Sequence, residues 1–354
     1  MEKTVNAEKI IIAREFNKLT QNELIEKLSI NGINVTQGEL SKIEQGLRKE
    51  IPDTLLNAIS EILEFPTSFF LGSWERQNIK GGLYRKRQSL KKKDESFVDS
   101  SVNLFIQTFI HLSKNVELET LNVPDFPLDV SQTSAEIARK TRAYWGVQDG
   151  PIGNLIELLE DNGIVINYIN IEEDKFDGYS CCLDGYYFIF INPQMPGDRL
   201  RFTIAHELGH LIMRNENKPY PQCEEEANKF ASEFLMPEND IKFELNNLTC
   251  ERAYYLKPQW KVSMASLIHR ASDLGVITKS RYTSLNVQMS KLGYRKNEPN
   301  PIEKERLTLF QEIIDTYIEQ KGETIESIAQ QMNLSKNVLV KLYKPHRNNI
   351  RAIN

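Results

Sequence analysis

Cysteine is scarce in this chain: there are four among 354 residues, and none are spaced as a CxxC pair. Four cannot build a disulfide framework, and without CxxC there is no cysteine-rich zinc module. The thiols are expected to be reduced and the protein cytoplasmic. Long apolar runs are also missing. No stretch approaches the ~18 consecutive apolar residues of a membrane-crossing helix. The opening segment, MEKTVNAEKIIIAREF, lacks the apolar core of a secretory signal. No membrane partner is expected. GxGxxG, P-loop and nucleophile-elbow patterns do not occur, which removes the usual dinucleotide, nucleoside-triphosphate and serine-hydrolase readings. Nor is there an excess of positive charge, since 44 basic and 49 acidic residues leave −5. That total excludes a protein that holds nucleic acid by bulk electrostatics alone.

What is present is unevenly distributed. Apolar residues at 40% and charged residues at 26% describe a globular chain, and its length suits two or three domains. The net charge is −4 over residues 1–75, +8 over 76–93, −14 over 94–278 and +5 over 279–354. The run RQNIKGGLYRKRQSLKKK, with Arg85, Lys86 and Arg87 at its centre, reads either as a solvated linker or as a strap contacting phosphates. The charge breaks suggest a head (1–73), a basic linker and helical connector (74–129), a body (130–278) and a helical tail (279–354).

The head reads as short helices. Thr20 precedes QNELIEKL with Glu23 three residues on, and Thr36 precedes QGELSKIEQG with Glu39 three residues on: two capping boxes. SINGIN between them is a turn signal, Gly46 a helix stop, and Pro52 opens a further helix. Two short capped helices joined by a turn, within a four- to five-helix bundle, form a helix-turn-helix pattern. The second helix presents Thr36, Gln37, Glu39, Ser41 and Lys42 outward. Gln37 and Lys42 suit bases or phosphates, and Gln21 at the start of the preceding helix suits a phosphate. The plainer alternative is a helical protein-interaction bundle. TQNELIEKL, followed by VTQGELSKIEQGLRKEIPDTLLNAISEILEFPTSFF, resembles the Xre (Cro/C1-type) repressor helix-turn-helix family over about 60 residues. That resemblance implies operator DNA as a partner of residues 1–93, and homodimers are common among such domains.

The body carries the strongest signal. RFTIAHELGHLIM contains His206-Glu207-Leu208-Gly209-His210. At 100° per residue, the two histidines lie about 40° apart on one helix face. Two imidazoles one turn apart can share a tetrahedral metal, and the intervening Glu207 reaches water beside it: the HExxH arrangement of zinc peptidases. Phe202, Ala205, Leu208, Gly209 and Ile212 form an apolar stripe, so the helix is expected to be half buried. In the following CEEEANKFASEFLMP segment, Ala227, Phe230, Ala231 and Phe234 mark the buried face. Glu224 lies nearest that face, about 60° from its centre, and is assigned as third ligand. Glu225 faces away, and Asn228, one turn on, is a candidate for supporting a ligand. Glu207 would take a proton from water and pass it to the leaving amine. Tyr220, Tyr254, Tyr255, His269 and Arg270 remain open as oxyanion donors. The sequence also predicts helices over TSAEIARKTRAYWGV and, opened by Pro151, IGNLIELLEDNG. β runs are expected in IVINYINI and YYFIFIN, and one of Cys181 and Cys182 should be buried.

GPIGNLIELLEDNGI, FINP, RFTIAHELGHLIM, EEEANKFASEFLMP and WKVSMASLIHRASDLGVI together resemble the ImmA/IrrE metallopeptidase family over roughly residues 130–275. The resemblance implies a gluzincin-like Zn²⁺ site with His206, His210 and Glu224 as ligands and Glu207 as base. It also implies a protein substrate, a transcriptional repressor being the family's usual target, in a bacterial, phage or mobile-element stress response. In the tail, NEPNP marks a break. Thr324, a turn at Asn333 and Ser335 outline a second helix pair, with Lys336 and Lys341 outward. The expected fold is thus mainly α with a small β-sheet: a helix-turn-helix bundle, a zinc-peptidase body and a helical tail. Two other readings stand beside it: a non-proteolytic DNA-binding regulator that senses a metal or ligand, and a toxin–antitoxin or phage-defence component.

Overall fold

The computed structural model describes residues 2–72, 90–118, 121–126, 132–172, 176–214 and 218–343. The fold is mostly helical with two small sheets, an α+β architecture. Among the described residues no helix is long and apolar enough to cross a membrane. Cys181 is buried and Cys182 exposed.

The head contains α1 (Ala7–Phe16), α2 (Gln21–Ile30), α3 (Gln37–Glu44), α4 (Asp53–Leu63) and α5 (Thr67–Leu71). Both capping boxes form: each threonine hydroxyl accepts from the third backbone amide, and each glutamate accepts from the cap residue's amide. Leu24, Leu28, Leu40 and Ile43 are buried. Gly46, at φ +72°, ends α3 in a conformation that strains any side chain. A small sheet pairs β1 (Glu2–Thr4) antiparallel with β2 (Glu50–Pro52). Its first strand is exposed throughout, so no alternation announces it.

The connector contributes α6 (Lys92–Ser113), a 22-residue helix that stands at the centre of the molecule. It packs against α1 and, through Phe105 and Phe109, against Phe190, Phe188 and Tyr186 of the main sheet. That sheet has the order β3–β5–β4. β3 (Ile164–Tyr168) runs parallel to β5 (Tyr186–Ile191), and β4 (Gly178–Leu183) pairs antiparallel to β5 as an edge. Period-two alternation divides its side chains. Val165, Tyr179, Cys181, Phe188 and Phe190 join the core shared with the head, α6 and the tail. Ile164, Ile166, Ile189 and Ile191 join the core of the body.

The body's helices are α7 (Ser134–Tyr144), α8 (Leu155–Asp161), α9 (Gly197–Met213), α10 (Tyr220–Leu235), α11 (Glu238–Ile241), α12 (Cys250–Trp260), α13 (Met264–Asp273) and α14 (Lys279–Lys291). One start differs from expectation. Pro151 does not open α8; Asn154 caps it, its side chain accepting from the Glu157 amide. Ile152 and Gly153 stay outside because their carbonyls accept from Arg201 and Lys261.

A second difference concerns α9. It is buried nearly all round rather than on one side; Arg199 is its exposed position. Polar residues near its start are therefore paired. Asp198 accepts from Lys257 at 2.6 Å, and Lys257, 1% exposed, also reaches Glu298 at 2.8 Å. Arg201 pairs with Glu305, and burial lowers its pKa to about 10. Glu298 and Glu305 belong to the NEPNP region and its continuation, which breaks the helical run as expected and is anchored as a strap. Glu298 accepts from the Met264 and Ala265 amides, and Glu305 from those of Leu155 and Ile156. The strap crosses so close to Gly197 that a Cβ there would lie 2.2 Å from the Ile302 carbonyl oxygen.

After the strap come α15 (Leu309–Lys321), α16 (Ile325–Gln331) and α17 (Lys336–Tyr343). Thr324 and Ser335 cap as expected, and Asn333 adopts φ +53°. Phe310 packs on Phe105 and Phe109. Lys336 and Lys341 point outward but are ion-paired, to Glu326 and to Glu64 at the end of α4. Lys257→Ala takes the cation away from buried Asp198 and half-buried Glu298 and is expected to cost about 3–5 kcal/mol. Lys341→Ala, at a half-exposed pair, should cost about 1 kcal/mol or less. Urea unfolding of the two variants checks the contrast.

Candidate metal centre

The centre assembles where α9 crosses α10. Gly209 faces that crossing, and a Cβ there would sit 3.0 Å from the Phe230 ring. The missing side chain lets the helices approach until Glu224 on α10 reaches the histidines of α9. His206 Nε2 and His210 Nε2 are 3.1 Å apart. Glu224 places Oε1 3.2 Å from His210 Nε2 and Oε2 3.7 Å from His206 Nε2. The three residues form a His–His–Glu cluster able to coordinate a metal ion, with all donor atoms within 4.8 Å of one another. Ligands about 2.0–2.1 Å from a tetrahedral ion lie roughly 3.3 Å apart, so the observed separations match three corners of such a site. The imidazole planes cross at 82°, which spreads the nitrogen lone pairs around a shared point instead of stacking them.

The ring nitrogens are assigned by their neighbours. Asn228, one turn beyond Glu224, places Oδ1 2.9 Å from His206 Nδ1. The amide oxygen accepts the Nδ1 proton, leaving the Nε2 lone pair for an ion. Exposure grades the cluster: the His206 side chain is 6% exposed, His210 19% and Glu224 21%. One side is closed by protein and the other meets solvent. Of the neighbouring acids, Glu225 is solvated and pairs with Lys229, while Glu226 pairs with Lys218. Cys223 is buried with its Sγ 3.5 Å from the Lys218 carbonyl oxygen. Burial, then the Glu226 charge, raises its pKa, and it lies outside the donor cluster.

Glu207 is 4% exposed and turns toward β4. The Ser180 hydroxyl donates to its Oε2 at 2.8 Å. Gly178 lies two residues earlier on the same strand face, and a Cβ there would be 3.1 Å from Glu207 Cγ. The sequence reading missed both residues. Their only signal is a small–x–small alternation, which becomes informative once β4 is known to lie against α9.

Among the candidate oxyanion donors, Arg270 is committed to Glu233 and to the Met236 carbonyl, and His269 pairs with Asp273. In the head, Thr36, Gln37 and Lys42 are exposed, and Ser41, half-buried, accepts from Gln45. The Gln21 side chain is held internally, donating to Glu44 and accepting from Gln37. Arg85, Lys86 and Arg87 lie outside the described residues. Of the lysines that end the basic run, Lys93 lies beside α2, pairing with Glu23 at 2.7 Å.

Asn228→Leu removes the acceptor that fixes His206. Zinc affinity, measured by chelator competition, is expected to fall about 10–100-fold, with the far-ultraviolet helix signal unchanged.

The model of a family described as the IrrE N-terminal-like domain, Peptidase_M78, matches residues 159–272. The matched stretch runs from within α8 into α13 and contains the whole cluster, Glu207 and β4. The head and the tail lie outside it. No curated protein matches the chain. Residues 159–272 thus form an IrrE-like peptidase domain with a His–His–Glu cluster.

Proposed function

We propose that the protein is a zinc-dependent endopeptidase joined to a DNA-binding helix-turn-helix head, and that it cleaves a protein substrate, a transcriptional repressor being the first candidate. The observation that carries this reading is the placement of Glu207 between two cluster histidines and beside the edge strand β4. Two neutral imidazoles and one carboxylate are the donor set of a catalytic zinc site that keeps a position open. Bound there, zinc would act as a Lewis acid, polarising a carbonyl and making water more acidic.

The chain's residues account for the rest. His206, His210 and Glu224 would hold the ion, with Asn228 fixing the His206 ring. Glu207 takes a proton from the attacking water and delivers it to the leaving nitrogen. Among the described residues β4 pairs only on its β5 side within the sheet, so its other edge can add an extended peptide by backbone hydrogen bonds. A substrate segment laid there runs past Glu207.

The head supports DNA binding by arrangement more than by charge. Gln37 and Lys42 are exposed on a helix whose start is fixed by a capping box. Gln21 and Gln37 are joined by a hydrogen bond, so the two helices present one polar surface with Thr36 and Ser41. In this reading Lys93 beside α2, and Arg85, Lys86 and Arg87 before it, supply phosphate contacts. A cytoplasmic regulator of a stress response is the setting that follows.

Glu207→Gln should keep zinc at one equivalent and lower cleavage by at least about 10³-fold, as expected when a general base is removed together with its charge. Zinc analysis paired with a cleavage assay on unfolded protein checks this. Full zinc loading with no cleavage by either protein would favour the non-proteolytic sensor. For the head, Lys42→Ala should weaken binding to promoter DNA and reduce the slope of log affinity against log salt by about one. An unchanged slope would favour a protein partner for this surface.

A further inference from the structure

We infer that Ser180 is a positioning residue for the catalytic base: its hydroxyl holds one carboxylate oxygen of Glu207 so that the other faces the reacting water. The inference rests on the peptidase reading for its chemistry and on the geometry of β4 for its argument.

Ser180 is 8% exposed and Glu207 4%, and the hydroxyl donates to Oε2 at 2.8 Å. A hydrogen bond to an ionised acceptor in a buried setting is stronger than a neutral one and fixes the rotamer of the acceptor. Oε1 receives no hydrogen bond from the other described residues, so the two oxygens of Glu207 are not equivalent. One is tied to the sheet and the other is left for chemistry.

The backbone around Ser180 is built to hold that distance. Ser180 pairs across from Ile189 on β5, and Gly178 pairs with Ile191. A side chain at position 178 would meet Ile191 and Thr203 at 2.9 Å and Glu207 Cγ at 3.1 Å. Only glycine lets β4 approach α9 closely enough for a side chain as short as serine to reach the carboxylate. On the opposite face of the same strand, Tyr179 and Cys181 are buried in the core shared with α6, so β4 cannot rotate to release the contact.

The test uses the full-length, zinc-loaded protein and two readouts. The first is affinity for acetohydroxamate, a metal-chelating probe whose hydroxyl can hydrogen-bond the adjacent carboxylate; it needs no turnover. The second is cleavage of an unfolded protein, resolved into kcat and KM. Ser180→Ala is expected to weaken acetohydroxamate about tenfold, and to lower kcat by a similar factor with KM unchanged. Zinc stoichiometry should stay at one equivalent. Ser180→Thr, which restores the hydroxyl, should return both to within about twofold of the parent. Ser180→Cys keeps the volume while weakening the donor, and replaces the alanine variant if that one does not fold. Acetohydroxamate affinity within twofold of the parent in Ser180→Ala overturns the inference. So does loss of zinc from Ser180→Ala, because the bond would then serve metal-site assembly. If the parent cleaves nothing but Ser180→Ala still loses the probe, the peptidase reading fails and the positioning role of Ser180 stands.

Discussion

The site depends on one constraint: α9 carries charged and ionisable groups yet is buried almost all round. A buried polar group without a partner costs several kcal/mol or gives up its charge. Each such group on α9 therefore has an assigned neighbour. Asp198 has Lys257, Arg201 has Glu305, His206 has Asn228 and Glu207 has Ser180. These neighbours come from α12, the strap, α10 and β4. Satisfying one helix thus recruits most of the body and ties in the segment leading to the tail.

The same requirement explains why glycines stand where the helix meets other backbone. Gly197 admits the strap, Gly209 admits α10 and Gly178 brings β4 to the base. At each place a methyl group would meet atoms at 3.0 Å or less, so the approach of each neighbour to α9 is set by what is missing from these positions. α6 does a comparable job on the far face of the sheet, where Phe105 and Phe109 join sheet and tail and Phe97 meets Phe16 of the head.

The local features were legible in the sequence because their causes are local. Capping boxes at Thr20 and Thr36, the turn at Asn333 and the facing of His206 and His210 follow from spacing and helix geometry alone. Glu224 could be chosen over Glu225 because burial of Ala227, Phe230 and Phe234 fixes the phase of α10. The match over residues 159–272 supports that reading of the body. Features set by distant segments were not legible. Ser180 is an ordinary strand serine until β4 is placed on α9. NEPNP has the composition of a loop, and nothing nearby shows that Glu298 caps a helix begun 34 residues earlier. The apolar stripe of α9 suggested a half-buried helix because its charged residues read as solvent-facing, whereas their partners lie 59 and 104 residues away.

The central claim is that the cluster and Glu207 cleave protein in the cell. The most direct measurement compares newly formed protein N-termini in cells expressing the parent chain with those in cells expressing Glu207→Gln at equal level and equal zinc content. The account predicts a small set of N-termini found only with the parent, at least one of them within a DNA-binding repressor. Identical N-terminal sets from the two strains, under conditions where the parent changes gene expression, would contradict it.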